Sequence, residues 1–167
     1  IEMPDYIFAS CGGGGLLSGT ILAKDLVSSK SKVVGVEPEN ANDAYQSLEK
    51  NLIHRFDDSP DTLADGLRAL SISPRTFEYI KMLDDFSLIS EKEIHYWTAW
   101  LFQLLKVTCE PSSAVSMAAA SKMIKEKNLI GKNILILISG GNIDPSFYKT
   151  LWHDEYYLMP HTDSLDL

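Results

Sequence analysis

The chain has 167 residues, 45% of them hydrophobic and 23% charged, which is enough for one domain with its own core. A net charge of −8 repels polyanions, so nucleic acid and anionic membrane surfaces are excluded as expected partners. No apolar run approaches the roughly 20 residues that span a bilayer, Ile1 to Asp5 carries no secretory-signal pattern, and two cysteines make no disulfide framework, so a reduced, cytoplasmic setting is expected.

In chain order, Asp5 to Ala9 predicts a strand and Leu16 to Val27 a helix, with four adjacent glycines, Gly12, Gly13, Gly14 and Gly15, between them. Without Cβ atoms the backbone there can curl tightly, and its N–H groups can converge on one anion at the positive end of the helix dipole. We therefore expect a phosphate cradle, with Leu16 counted in it as the first helical residue. A flexible linker is the weaker reading, because linkers seldom stand directly between a strand and a helix. Neither common nucleotide fingerprint fits. No Lys-Ser or Lys-Thr pair closes the loop, and Leu or Ser occupies a place that G-x-G-x-x-G reserves for glycine. Glu37 lies at the spacing of a ribose-binding acid, which means little among 23 acidic residues.

Lys32 to Val36 reads as a strand, Ala41 to Lys50 as a helix, and Asn51 to Leu63, with Asp57-Asp58-Ser59-Pro60, as a loop. Pro74 to Leu83 is expected to be helical and Phe86 to Ile89 extended. Ser90 with Glu93 forms a capping-box pattern opening a helix to about Lys106. Ser112 to Lys127 is an Ala/Met-rich helix, and Asn133 to Ile138 an apolar strand of the fully buried, parallel-sheet kind. Asp144-Pro145 suits a last helix start, and the polar tail Pro160 to Leu167 is expected to fray. Alternating strands and helices predict an α/β fold, a parallel sheet flanked by helices.

Five segments stand in order along the chain: the tetraglycine loop, Val33-Val34-Gly35-Val36-Glu37-Pro38, Thr62-Leu63-Ala64-Asp65-Gly66-Leu67, Glu110-Pro111-Ser112-Ser113-Ala114 and Leu137-Ile138-Ser139-Gly140-Gly141-Asn142-Ile143-Asp144. Together they resemble the carboxy-terminal half of the fold type II pyridoxal-phosphate (PLP) enzymes, nearest the serine/threonine dehydratase and serine racemase branch. The resemblance implies that residues 1–167 are the carboxy-terminal part of a PLP-binding large domain. It also implies a PLP-dependent ammonia-lyase that converts a hydroxy amino acid to a 2-oxo acid and ammonia. Serine racemisation and hydroxyaspartate ammonia-lyase activity are its alternatives, and a non-catalytic or split-enzyme cofactor-binding chain is the reading from another class. The family's Schiff-base lysine lies in a Ser-x-Lys-x-Arg-Gly type motif. Neither Ser29-Lys30-Ser31-Lys32 nor Ser121-Lys122-Met123-Ile124 has that pattern. The amino-terminal half, with that lysine and the small domain, is therefore expected to be missing, and the chain alone to be inactive.

By the same resemblance, Gly12 to Gly15 hold the cofactor phosphate and Ser139 bonds the pyridine nitrogen. By its residues alone Ser139 is a turn serine before Gly140-Gly141. Glu110 matches a family residue near the cofactor ring, and capping of the Ser112 helix is an equal expectation. Asp65 reads as a turn residue. Glu37, Ala41 and Asp43 match a divalent-ion site of the branch, and two carboxylates with one carbonyl suit Mg²⁺ or Ca²⁺. The alternative is a solvated helix residue and a strand-end charge. Cys11 is expected to be a buried small hydrophobe. His54, His95, His153 and His161 show no metal spacing. Trp97, Trp100 and Phe102 read as packing, with a subunit contact also open. Expected partners are an amino-acid substrate and either a second copy of the chain or a complementing amino-terminal half.

Overall fold

The computed structural model describes residues 2–153 and 155–156. The chain order is β1 (Tyr6–Ser10), α1 (Gly15–Val27), β2 (Lys32–Pro38), α2 (Asp43–Lys50), a 3-10 turn (Asp65–Leu67), α3 (Pro74–Ile80), β3 (Asp85–Ile89), α4 (Glu91–Leu105), α5 (Pro111–Lys127), β4 (Ile134–Ile136) and α6 (Pro145–Tyr148). The four strands form one sheet in the order β3-β2-β1-β4, every neighbouring pair parallel. This is the expected parallel α/β architecture.

Side-chain alternation along β1 divides the core. Phe8 joins Val34, Val36, Trp97, Ala118 and Ala119 on the face covered by α4 and α5. Ile7 and Ala9 join Leu17, Ile21, Ala44, Phe77 and Ile80 on the face of α1, α2 and α3. The small residues of α5 let it lie close to the sheet. Ala114, Ala118, Ala119 and Ala120 are all buried, and α5 touches all four strands. In β2, Gly35 leaves room for a close approach, since a Cβ there would meet the Phe86 ring at 2.8 Å and Leu83 at 2.9 Å.

Helix starts follow local chemistry. The Ser90–Glu93 capping box forms as read, with Ser90 N–H donating to Glu93 Oε2 at 2.9 Å and Glu93 N–H to Ser90 Oγ at 3.3 Å. A second box, Ser73 with Thr76, opens α3; threonine in place of the usual Glu or Gln hides it from the sequence pattern. At α6, Asp144 accepts from Ser146 N–H at 2.7 Å and Phe147 N–H at 3.3 Å. Helix α2 begins two residues later than expected and α3 ends three earlier.

The strand at Asn133–Ile138 departs from expectation. The strand spans Ile134–Ile136, flanked by ladder bonds from Tyr6 N–H to the Asn133 carbonyl and from Leu137 N–H to the Phe8 carbonyl. Among the described residues it is a sheet edge, half-buried, with Leu135 exposed. An apolar run reads alike for a central and an edge strand, so burial on both sides was over-read. The tail Pro160 to Leu167 and His161 lie outside the described residues. Among the described residues no helix is long and apolar enough to cross a membrane. Cys11 and Cys109 are buried free thiols, Cys11 fully so. Trp97 is a core residue, while Trp100 and Phe102 pack edge-on against Trp152 and Tyr148 of the same chain.

Candidate functional site

Strand order reverses at β1, since the chain passes from β1 to β2 on one side and returns to β4 on the other. In open α/β sheets such a reversal leaves a crevice beyond the carboxyl ends of the two strands. Here it is an open cleft of about 300 Å³ lined by Ser10, Gly12 to Gly15, Leu16, Gly66, Leu67, Glu110, Ser112 and Ser139. The topology thus gathers every cradle residue, Glu110 and Ser139 into one place. A larger groove of about 450 Å³ lies between Glu39, Glu93, Glu126, Lys122 and Lys125. Its opposed surface charges and its distance from the strand reversal make it the weaker candidate.

The cradle is built by glycine at two kinds of position. Gly14 precedes α1 with φ of +84°, and a Cβ there would meet Ile80 Cδ1 at 2.8 Å and Thr76 Cβ at 2.9 Å. It is demanded by the fold. Gly13 and Gly15 face open space, with nothing within 4 Å of an added Cβ. Helix α1 starts without a side-chain cap and without an acid in its first turn. Its leading N–H groups therefore remain for an anion. Thr76 Oγ1 lies 3.1 Å from the Gly13 carbonyl oxygen, tying the loop to α3.

The opposite wall is the Ser139–Asn142 turn after β4. Ser139 is exposed to the cleft. Its N–H and that of Gly140 donate to Ser113 Oγ at 3.1 and 2.8 Å. Glu110 Oε2 accepts from Asn142 N–H at 2.9 Å, and Glu110 N–H donates to the Gly140 carbonyl at 3.2 Å. Glu110 is the N-cap residue of α5, as the capping expectation has it, but its backbone carbonyl and not its side chain accepts from Ser113 and Ala114 N–H, at 3.0 and 3.2 Å. Its carboxylate instead spans to the turn, so close that a Cβ on Gly140 would meet it at 2.5 Å. Below, Gly66 N–H donates to Ser112 Oγ at 2.8 Å and to Asp65 Oδ1 at 2.9 Å, which gives exposed Asp65 its turn role. Ser112, Ser113 and Thr76 escaped the sequence reading as site residues. Hydroxyls in a helix's first turn are common, and the only hint was the Pro111-Ser112-Ser113 run itself.

Glu37 and Asp43 sit beside the cradle strand and are fully buried, which rules out the solvated reading. Glu37 is the last acid of β2 and Asp43 the first residue of α2. Glu37 accepts from Ala44 N–H at 3.1 Å and Tyr45 N–H at 2.9 Å, and Asp43 Oδ2 from Ile72 N–H at 2.7 Å. Asp43 Oδ1 is buried without a partner. Burial, with the Asp43 charge second, pushes Glu37 well above the carboxylate range, and burial pushes Asp43 up to about 6. The thiol of Cys11 is likewise raised by burial and then by both carboxylates, so it is inert at neutral pH. Among the described residues no three His, Cys, Asp or Glu side chains converge. Any ion here would have two carboxylates, with Ala41 able to add only its backbone carbonyl. Asp43 Oδ1 without a partner, and two acids to which no cation of the described residues is paired, fit such an ion.

Of the histidines, His54 stacks edge-on against Phe56. The fold brings His95 and His153 together at 5.0 Å between ring centres, a pairing that spacing alone concealed.

The cleft thus offers an uncapped helix start with open space at one end and an exposed neutral hydroxyl at the other. Comparisons with known proteins show the family. The chain is 38% identical over 148 residues to L-threo-3-hydroxyaspartate ammonia-lyase of Saccharomyces cerevisiae, covering 88% of this chain and 44% of that protein. It is 41% identical over 145 residues to serine racemase of Schizosaccharomyces pombe, covering 86% and 44%. The crystal structure of a T.th. threonine deaminase superposes with a TM-score of 0.77 at 37% identity, over 85% of this chain and 51% of that one. The chain thus spans about half the length of the relatives it matches. The profile of the PALP family, described as pyridoxal-phosphate dependent enzyme, matches residues 1–140, and the chain belongs to that family.

Proposed function

We propose that this chain is the cofactor-phosphate and ring-nitrogen side of a PLP-dependent ammonia-lyase acting on a hydroxy amino acid. The observation that carries the reading is the shared cleft of the Gly12–Gly15 cradle and Ser139 at the carboxyl ends of neighbouring strands. Bound there, the cofactor supplies an electron sink for the substrate's α-carbon. The cradle N–H groups hold the phosphate and so fix the cofactor's position. Ser139 offers the ring nitrogen a neutral hydroxyl. Unlike an aspartate, it does not hold that nitrogen protonated, which favours loss of a β-hydroxyl over transamination. Glu110 stiffens the turn that carries Ser139.

Among the described residues no lysine lines the cleft. By the family resemblance, the lysine that anchors the cofactor aldehyde belongs to an amino-terminal half, and on this reading the 167 residues alone are catalytically silent. Glu37, Asp43 and the Ala41 carbonyl hold Mg²⁺ or Ca²⁺ with water. The protein works with a second copy or a complementing half in a reducing, cytoplasmic compartment, consistent with its buried free cysteines.

Serine racemisation is the second reading, favoured by the 41% identity to a serine racemase. The test offers L-serine, L-threonine and L-threo-3-hydroxyaspartate to the PLP-loaded intact protein, following ammonia, 2-oxo acid and D-serine. Ammonia equal to 2-oxo acid supports the lyase, and D-serine exceeding 2-oxo acid supports the racemase. A PLP-loaded protein giving none of these products overturns both.

A further inference from the structure

Glu110 holds the far end of the Ser139–Asn142 turn, and one buried hydroxyl holds its near end. Ser113 is fully buried in the first turn of α5, and it alone joins that helix start to both Ser139 and Gly140 through a side chain. A serine hydroxyl has one proton to give and two lone pairs to offer. Both lone pairs of Ser113 are taken, by Ser139 N–H at 3.1 Å and Gly140 N–H at 2.8 Å. Its proton has two destinations, the Gly140 carbonyl at 3.1 Å or Ser139 Oγ at 3.4 Å.

The consequence falls on Ser139. Among the described residues Ser113 is the one hydrogen-bond partner of Ser139 Oγ. Its acceptor capacity is spent, so the Ser139 proton has no inward acceptor. Whichever way Ser113 points its own proton, the Ser139 O–H is left to donate outward, into the cleft.

We infer that Ser113 is a positioning residue: by holding the Ser139 and Gly140 N–H groups it keeps Ser139 where its outward O–H donates to the cofactor's ring nitrogen. A donor at that place requires an acceptor, so the arrangement selects the unprotonated pyridine. Ser113 thereby controls, without touching the cofactor, how strongly the ring draws electrons. This rests on the reading that Ser139 faces the ring nitrogen.

The test loads the intact protein with PLP carrying ¹⁵N in the ring and reads the nitrogen's chemical shift together with the PLP dissociation constant. Ser113→Ala leaves the Ser139 and Gly140 N–H groups without their acceptor, so the turn is released and Ser139 Oγ is no longer held at the ring nitrogen. Ser113→Cys refills the space with a poor acceptor, guarding against a simple packing loss. Both variants, with folding checked by circular dichroism and melting, should move the ¹⁵N signal more than halfway to its position in Ser139→Ala and raise the dissociation constant about 5- to 10-fold, the effect of losing roughly one hydrogen bond. If Ser139→Ala shifts the signal while folded Ser113→Ala and Ser113→Cys keep the parent's value, the inference is overturned and the ring-nitrogen reading stands. If Ser139→Ala leaves the signal in place, the reading itself falls and takes the inference with it.

Discussion

Thr76 Oγ1 stands 3.1 Å from the carbonyl oxygen of Gly13 and 3.0 Å from that of its own helix cap, Ser73. One threonine thus fastens the start of α3 to the phosphate cradle. Immediately before that cap, Ile72 N–H is held by Asp43 at 2.7 Å. The carboxylate pair and the cradle are therefore joined through a few covalently adjacent groups. Replacing Thr76 by the isosteric valine should cost about 1 kcal/mol of stability, the usual net worth of a hydrogen bond, and weaken PLP binding several-fold. Thr76→Ser should keep both. Equal PLP affinity in Thr76→Val and the parent, measured by fluorescence titration, would detach α3 from the cradle.

The two kinds of cradle glycine separate fold from function. At Gly14 a Cβ would press on Ile80 and Thr76 at a positive φ. Gly14→Ala should therefore lose about 2 kcal/mol or more. At Gly13 the Cβ enters open space. Gly13→Ala should melt within a few degrees of the parent yet bind PLP at least about tenfold more weakly, because a methyl group occupies the anion's place. Thermal melts and PLP titrations of the pair decide it. A Gly13→Ala protein that binds normally would move the phosphate elsewhere.

The cradle was legible from the chain because it is local: a strand end, four glycines and a helix start are contiguous. Its opposite wall was legible only in part. Ser139 stood out within a recognisable segment, but Ser113 acquires its work from a turn 26 residues away, and no local pattern records such a contact. The extent of β4 was over-read for a related reason. Hydrophobicity marks a strand as apolar but does not say how many neighbours it has. Glu37 and Asp43 were marked as a pair by the family resemblance and by their donor chemistry, whereas their complete burial comes from the packing of α2 and the Ile72 segment against them.

Burying two acids together should make this protein responsive to divalent ions. A ligand that binds only the native state stabilises it by mass action. In protein first stripped with chelator, Mg²⁺ or Ca²⁺ should raise the melting temperature, and chelator should reverse the rise. Asp43→Ala should abolish the response, since it removes the carboxylate whose Oδ1 lacks a partner. A parent melt indifferent to ion and chelator would leave the pair without a metal.

Acid should loosen the segment that follows α6. His95 Nδ1 lies 2.8 Å from Tyr156 Oη, with His153 and Phe147 against its ring. Burial, then the neighbouring His153, lowers its pKa from the ordinary 6.5, opposed by its bond to the Thr150 backbone. The folded state therefore prefers the neutral ring. That contribution is full above the unfolded value near 6.5 and is lost as pH falls from there through the lower folded value. Hydrogen exchange of residues 147–153 should accelerate between pH 7 and 5 relative to β1, after correction for intrinsic rates, and His95→Gln should flatten the difference. Identical relative protection across that range in the parent would show that His95 does not hold the segment.

The pairing of β1 with β4 has a consequence for how the cleft comes into being. Tyr6 lies opposite Ile134, a separation of 134 − 6 = 128 residues. During synthesis at about 5–20 residues per second, that interval lasts roughly 6–26 s. The glycine loop thus leaves the ribosome long before the turn bearing Ser139 exists. Contacts of such long range are entropically late. Nascent chains should therefore be unable to present the glycine loop and Ser139 together until β4 has docked, so a ligand bridging the two would act as a clasp on a sheet that is already assembled.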